Sequence, residues 1–227
     1  MAYDDDGVIR SFIRASADWF YDQGVDLEVS CDFKKFYDAI RRLDGGYGEN
    51  LNPAYDYRYN RLDWSNAIWI HAVDQTGKIV GQVAAKLVAD EPNLYEAYRT
   101  ERFWYANRRA VETCAVEMLS PATKSVSGLI STSGSIWVHR DRRKTGMSGR
   151  LATLARAMML KEHGSAYHTG MVKQALFEAG MMKVYQHVHS DLSLRLLDVG
   201  YAMHSLWVTR TEAVSLFRSS LAQRERS

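Results

Sequence analysis

Ile136-Trp137-Val138-His139-Arg140-Asp141-Arg142-Arg143-Lys144-Thr145-Gly146-Met147-Ser148-Gly149-Arg150-Leu151 is the stretch on which the reading of this chain turns. An apolar run ends at Val138, a basic turn follows, and a helical pattern opens among small residues. Leu151, Leu154, Ala155 and Met158 fall on one face of a helix predicted over 148–162, with Lys161 and His163 in its last turn and Gly164 to close it. The first N–H groups of a helix have no acceptor within it, and the helix dipole adds partial positive charge at that end. Gly146, Ser148 and Gly149 let an anion approach the backbone. Arg143 and Lys144 add full charges, and an arginine can grip a phosphate through two N–H groups at once. The stretch therefore predicts an anion site where a strand hands over to a helix. A solvated basic turn is the plainer alternative.

Working outward, residues 67–73 and 78–88 predict a β-hairpin about Asp74-Gln75-Thr76-Gly77. Residues 93–117 look mostly helical, with Leu94, Tyr98, Phe103 and Trp104 as the apolar set, and residues 129–139 read as a strand. Downstream, a strand over 166–172 and a helix over 173–182 lead to two pairing strands, 184–196 and 202–209, and a last helix covers 212–221. The N-terminal part predicts two amphipathic helices. Val8, Ile9, Phe12, Ile13, Trp19 and Phe20 form the first, ended by Gly24. Phe33, Phe36, Tyr37, Ile40 and Leu43 form the second, with Ser30 or Asp32 as its cap and Gly45-Gly46 as its stop. Residues 45–66 mix Gly, Asn and Pro53 with Tyr47, Tyr55, Tyr57, Tyr59 and Trp64. Long irregular segments of this kind often carry function, though aromatic plugs pinning a surface loop would look the same. Alternating strands and helices predict an α/β or α+β class with a mixed sheet.

The chain has 227 residues, 46% of them hydrophobic and 25% charged, a balance that excludes a disordered chain and suffices for a large core. The predicted organisation is one compact unit in which helices and an aromatic loop at 1–65 pack on a core at 66–227. Two cysteines, Cys31 and Cys114, exclude a disulfide framework and a four-cysteine zinc site. A net charge of +2 excludes a strongly cationic nucleic-acid binder as the default, although Arg140 to Arg150 could form a local patch. The acidic start is unlike a signal peptide, and apolar runs such as 151–160 are too short to cross a bilayer. A cytoplasmic setting without membrane partners is expected. His187-Val188-His189 would point two imidazoles to one side of a strand, but no third ligand is placed, so no metal is expected.

Arg143, Gly146 and Ser148 resemble the pyrophosphate loop of the GNAT superfamily of N-acetyltransferases, Gln/Arg-x-x-Gly-x-Gly/Ala between the fourth strand and the next helix. Ser148 stands where that pattern has Gly or Ala. Asp74-Gln75-Thr76-Gly77-Lys78-Ile79-Val80-Gly81 looks like the hairpin of the family's second and third strands, and the resemblance covers roughly residues 66–210. It implies an α/β (α+β) fold with a mixed, mostly antiparallel central sheet flanked by helices, here carrying an N-terminal helical extension. It also implies acetyl-CoA or another acyl-CoA, whose acyl group passes to a primary amine by direct attack in a ternary complex.

By the same resemblance, the backbone of Trp137, Val138 and His139 would pair with the pantetheine arm and polarise the thioester carbonyl. Arg143, Lys144, Thr145, Gly146, Met147, Ser148 and Gly149 would cradle the pyrophosphate. Tyr185 would be the acid that protonates the leaving thiolate. For the base that frees the amine, Glu117, His139 and Glu112 are candidates, as is a water relay. Tyr55, Tyr57, Tyr59 and Trp64 would border the acceptor. The acceptor amine is unidentified and nucleic acid is not an expected partner. The oligomeric state is open, a homodimer included. The rival readings are a catalytically silent acyl-CoA-binding or interaction module, an acyl-homoserine-lactone synthase and a nucleic-acid-binding domain.

Overall fold

The computed structural model describes residues 4–43, 52–88, 90–105, 116–224 and 226. Gly45-Gly46, Tyr47, Glu112 and Cys114 lie outside the described residues. The helices are α1 (Asp5–Asp22), α2 (Phe33–Arg42), α3 (Leu94–Arg99), α4 (Met147–His163), α5 (Gln174–Glu178), α6 (Met181–Val184) and α7 (Arg210–Arg224). The strands are β1 (Val25–Ser30), β2 (Ala67–Asp74), β3 (Ile79–Leu87), β4 (Val116–Met118), β5 (Ile130–Val138), β6 (Tyr167–Lys173), β7 (His189–Leu196) and β8 (Tyr201–Thr209). Among the described residues they form one eight-stranded sheet in the order β1-β2-β3-β5-β6-β8-β7-β4. This is the mixed, mostly antiparallel sheet flanked by helices that the GNAT resemblance implied, and the basic turn lies between β5 and α4.

The hairpin forms as predicted, because the Asp74 carboxylate accepts from the N–H groups of Thr76 (2.9 Å) and Lys78 (3.1 Å) and so fixes the turn. Period-two alternation then sorts its residues between two cores. Ile68, Ile70, Ala72, Val83 and Ala85 pack under α1 and α4 with Phe20, Met147 and Leu151. Trp69 and Ala84 face the other way and pack with Phe36, Tyr55 and Tyr98 from α2, the segment after residue 52, and α3. Outside α4, α1 and α7 lean together through Phe12 and Phe217, stacked at 4.2 Å.

The one parallel pair sits in the middle of the sheet. β5 and β6 are in register only at Ile130↔Tyr167, Ser131↔His168 and Thr132↔Thr169. Beyond Thr132 the two strands part. β5 also carries one extra residue against β3, since Gln82 faces Trp137 while Ala84 faces Gly134. Ser135, inside that bulge, takes φ 50. A bulge bends a strand and ends pairing locally, so the bulge and the parting belong together.

Four expectations change. Residues 25–30 form an edge strand, β1, antiparallel to β2, in addition to the predicted N-terminal helices. Its alternation of Val25, Leu27 and Val29 is only six residues long and was hidden between two stronger helical patterns. Val116–Met118 is strand rather than helix, because it pairs with β7. The helix expected over 173–182 is two short ones, since Gly180 between them takes φ 85, outside helical space. Val184 therefore ends α6, and the strand after it begins only at His189.

The bulge has a packing signature that can be tested. A Cβ added at Gly134 would lie 3.0 Å from Tyr55 Cε2 and 3.2 Å from Tyr55 Oη. Gly134→Ala should destabilise the fold by about 1–3 kcal/mol, the usual cost of overpacking. Urea unfolding should show an unchanged slope and a lower midpoint.

Candidate functional site

Helix α4 starts without a side-chain cap. Its N-cap is Gly146 at φ 87, and the Arg150 N–H closes onto the Gly146 carbonyl at 3.1 Å. The leading N–H groups of a 17-residue helix therefore point outward, as an anion site requires. The space around a Gly146 Cβ is open to 4 Å, whereas a Cβ at Gly149 would lie 2.8 Å from the Val184 carbonyl oxygen. Gly146 is thus glycine for its backbone and its access, and Gly149 is glycine so that α6 can pack on α4. Arg143, Lys144 and Thr145 are exposed, while the Met147 side chain is buried in the core, leaving only its backbone for the turn.

Beside this turn lies a groove of about 630 Å³ lined by Gly146, Gly149, Arg150, Val184, Trp19 and Arg224. Arg150 stacks over Trp19 at 5.4 Å. Burial, and then the charge of Arg224, hold the Arg150 pKa below its ordinary value. The sequence reading missed Trp19 and Arg224. They come from opposite ends of the chain and meet only because α1 and α7 pack together.

Where β5 and β6 part, a buried polar cluster fills the α4 side. Arg156 of α4 is fully buried and donates to the carbonyls of Tyr185 (2.6 Å) and Gln186 (2.8 Å). Its Nη2 is 3.4 and 3.5 Å from the two ring nitrogens of His187, along neither lone pair. Burial pushes the Arg156 pKa down to about 9. A Cβ at Gly170 would touch His187 at 3.5 Å and the Ser133 carbonyl at 3.8 Å, so His187 occupies the mouth of the parting. His168 binds the hydroxyls of Ser131 (2.9 Å) and Ser133 (3.0 Å). Burial first, then the charge of Arg156, holds both imidazoles well below their ordinary pKa. Arg156 and His168 were not foreseen, because arginine and histidine in apolar runs read by default as exposed.

The other predicted residues disperse. Tyr185 is the C-cap that follows α6, half-buried, with its carbonyl held by Arg156. Trp137 is buried on the opposite face of the sheet from α4. His139 is buried beside Lys78, 2.9 Å from its Nζ, and its Nδ1 accepts from the Asp141 N–H in the turn. Glu117 lies on β4, at the far edge of the sheet from β5, and pairs with Arg195 at 2.9 Å. Tyr55 is buried against Gly134. Tyr57 meets Tyr37 and Tyr59 meets Tyr105, at 5.7 and 5.8 Å, and Arg58 bridges the Tyr37 and Tyr59 rings at 4.6 and 5.3 Å. Trp64 is separate, lining a groove with Val29, Ile68 and Met158 on the α4 side. The two histidines of His187-Val188-His189 diverge, since His189 bonds Glu212 at 2.8 Å. No helix among the described residues is long and apolar enough to cross a membrane.

No known family's sequence profile matches this chain, and no curated protein matches it. Solved structures resemble it in backbone. Arabidopsis thaliana NAA60 in complex with acetyl-CoA is 11% identical at a TM-score of 0.45, covering 82% of this chain and 98% of its own. The aminoglycoside acetyltransferase AAC(6')-Ib in complex with coenzyme A and kanamycin is 9% identical at 0.43, covering 83% and 96%. TofI in a ternary complex with an inhibitor and MTA is 12% identical at 0.43, covering 83% and 96%. At such identities and scores, no chemistry passes from those proteins to this one.

The buried histidines give the fold a defined acid response. Folded, His168 and His187 stay neutral well below the ordinary value of 6.5, whereas the unfolded chain takes up protons there. The unfolded state thus binds more protons below pH 6.5, and stability should fall as pH drops through that range. The loss should approach about 1.4 kcal/mol per pH unit per histidine until the folded form also protonates. Denaturant midpoints from pH 7.5 to 5 should show it, and His187→Gln should flatten the slope.

Proposed function

We propose that this protein is an acyl-CoA-dependent N-acyltransferase that moves an acyl group, acetyl in the simplest case, to a primary amine by direct attack. The observation that carries the reading is one juxtaposition. The uncapped N-terminus of α4, with Gly146 open and Arg143, Lys144 and Arg150 around it, adjoins the parting of β5 from β6. The turn suits a pyrophosphate through N–H groups, dipole and guanidinium charge. The part of β5 that has left β6 beyond Thr132 suits an extended amide-bearing arm, which needs backbone partners. There the amine nitrogen's lone pair attacks the thioester carbonyl, the C–S bond breaks with its electron pair on sulfur, Tyr185 protonates the thiolate, and the proton lost from the attacking nitrogen passes through water and restores the Tyr185 hydroxyl. Tyr55, Tyr57 and Tyr59 border the acceptor, which gives the first 65 residues an acceptor-side role.

A silent acyl-CoA-binding module is the second reading, favoured by the placement of Glu117 far from β5. Calorimetry with acetyl-CoA and thiol release with pooled amines separate the two, since binding without release in the parent protein supports the module.

Gly146→Asp should weaken acetyl-CoA binding at least tenfold, about 1.4 kcal/mol. Gly146→Ala carries the same backbone strain without the charge, so the gap between the two variants measures repulsion at the anion site. Arg143→Ala should weaken binding by roughly 1.5–3 kcal/mol, less at high salt. Parental affinity in both Gly146→Asp and Arg143→Ala would remove the cofactor from this turn. Tyr185→Phe should lower turnover by about 10² to 10⁴ with acetyl-CoA affinity unchanged, because only a transition-state contact is lost.

A further inference from the structure

One groove joins the start of α4 to the far ends of the two terminal helices. Gly146, Gly149 and Arg150 line it at the α4 end, and Trp19 of α1 with Gln223 and Arg224 of α7 line the opposite wall. Its volume of about 630 Å³ falls within the range of small-molecule sites, about 300–1,000 Å³. The residues that α1 and α7 contribute lie outside 66–210, the span of the GNAT resemblance, so this wall is the chain's own addition.

Charge and shape together specify a guest. Arg150 is half-buried, with its guanidinium over the Trp19 ring at 5.4 Å. No carboxylate among the described residues pairs with it, and the charge that acts on it is a second cation, Arg224. Arg224 is better matched: its Nη1 donates to the Ala15 carbonyl at 2.7 Å, and Asp18 and Asp22 lie 3.7 and 3.9 Å away. An unmatched guanidinium between another cation and the outward N–H groups of α4 suits an anion of more than one charge. The indole beneath that guanidinium adds a flat platform on which a heteroaromatic ring stacks. An apolar guest would leave the Arg150 charge unmet, and a bare inorganic anion would leave the Trp19 wall uncovered. A phosphate monoester joined to a nucleoside meets both demands.

We infer that this groove holds the 3′-phosphoadenosine end of acyl-CoA, with Arg150 on the 3′-phosphate, and that α1 and α7 thereby make the protein selective for acyl-CoA over its 3′-dephospho form. The inference rests on the acyl-transfer reading and deepens it. With the pyrophosphate at Gly146, the nucleotide end of the same molecule enters the groove that Gly146 opens. The edge of the Arg150 guanidinium donates to the phosphate while its face stays on Trp19, an arrangement that a lysine ammonium does not reproduce. Arg224 adds positive charge, and its bond to Ala15 ties α7 to α1 so that the wall stays in place.

Calorimetry on the full chain compares acetyl-CoA with acetyl-dephospho-CoA, which differ only in the 3′-phosphate. The parent should bind acetyl-CoA at least tenfold more tightly, and less so at high salt. Arg150→Gln should cut that ratio to below about threefold, and Arg150→Lys should keep part of it. Gln223→Glu adds a carboxylate to the α7 wall at nearly constant shape and leaves α4 untouched. It should lower the ratio too, and it decides the question if the Arg150 variants do not fold. Adenosine 3′,5′-bisphosphate should displace acetyl-CoA from the parent. Equal affinity of the parent for the two thioesters, or a parental ratio in both Arg150→Gln and Gln223→Glu, overturns the inference. So does adenosine 3′,5′-bisphosphate that binds alongside acetyl-CoA, which would mark a separate nucleotide site. A parent chain that binds neither thioester instead overturns the acyl-transfer reading beneath it.

Discussion

After Thr132 and Thr169, the two parallel strands at the centre of the sheet no longer pair. Most of the molecule follows from that break. Parallel neighbours normally keep pairing to their ends, because unpaired backbone in a protein interior is costly. Here the extra residue in β5, with Ser135 at φ 50, turns the strand away from β6. Gly134 lets Tyr55 lie on one side of the bend, and Gly170 leaves room for His187 at the other. The parting is built into the sequence rather than left by loose packing, since each glycine beside it is matched by a large side chain that needs its space.

The charge buried behind the gap is the second cost the fold accepts. Arg156 is fully enclosed, and its guanidinium is met by backbone carbonyls and, at 3.4 and 3.5 Å, by the ring nitrogens of His187. Lys86, on the other face, has its ammonium 3.5 Å from Asn60 Oδ1, and burial pushes its pKa down to about 7. Replacing such groups with apolar residues often stabilises a protein. What Arg156 provides is geometry. It ties α4 to the turn after α6, and so holds the helix whose N-terminus is proposed to bind the anion against the segment carrying Tyr185 and His187. Gly149, tight against the Val184 carbonyl, fixes the same contact one turn closer to the start of α4.

The parts legible in the sequence were those written in neighbouring residues. The Asp74–Gly77 turn, the apolar end of β5, the basic turn and the small residues opening α4 each depend on side chains a few positions apart, and each formed where expected. Strand β1 escaped because an edge strand needs one partner and six residues, and its pattern was no stronger than its surroundings. The groove arginine Arg224 escaped for a different reason. It meets Trp19 only through packing, which joins residues more than a hundred positions apart. Carboxylate character drew attention to Glu117, whereas strand order places it at the far edge. Tyr55 was recognised as important, but burial on Gly134 makes it first a shaper of the bulge.

Strand geometry bears on how both halves of the proposed transfer would meet at β5. Successive side chains of a strand point to opposite faces. Ile136 and Val138 pack towards α4, whereas Trp137, opposite Gln82, and Gly134, against Tyr55, face the other side. A molecule lying in the gap against this strand is therefore open to both faces at once. Its anionic end can reach the helix terminus on one side, while its other end is presented to the aromatic segment on the other. An unbroken sheet would keep those two environments apart. The parting of β5 from β6 joins the α4 side to the aromatic face, so in the proposed reaction the bulge that opens it would matter as much as any side chain that lines it.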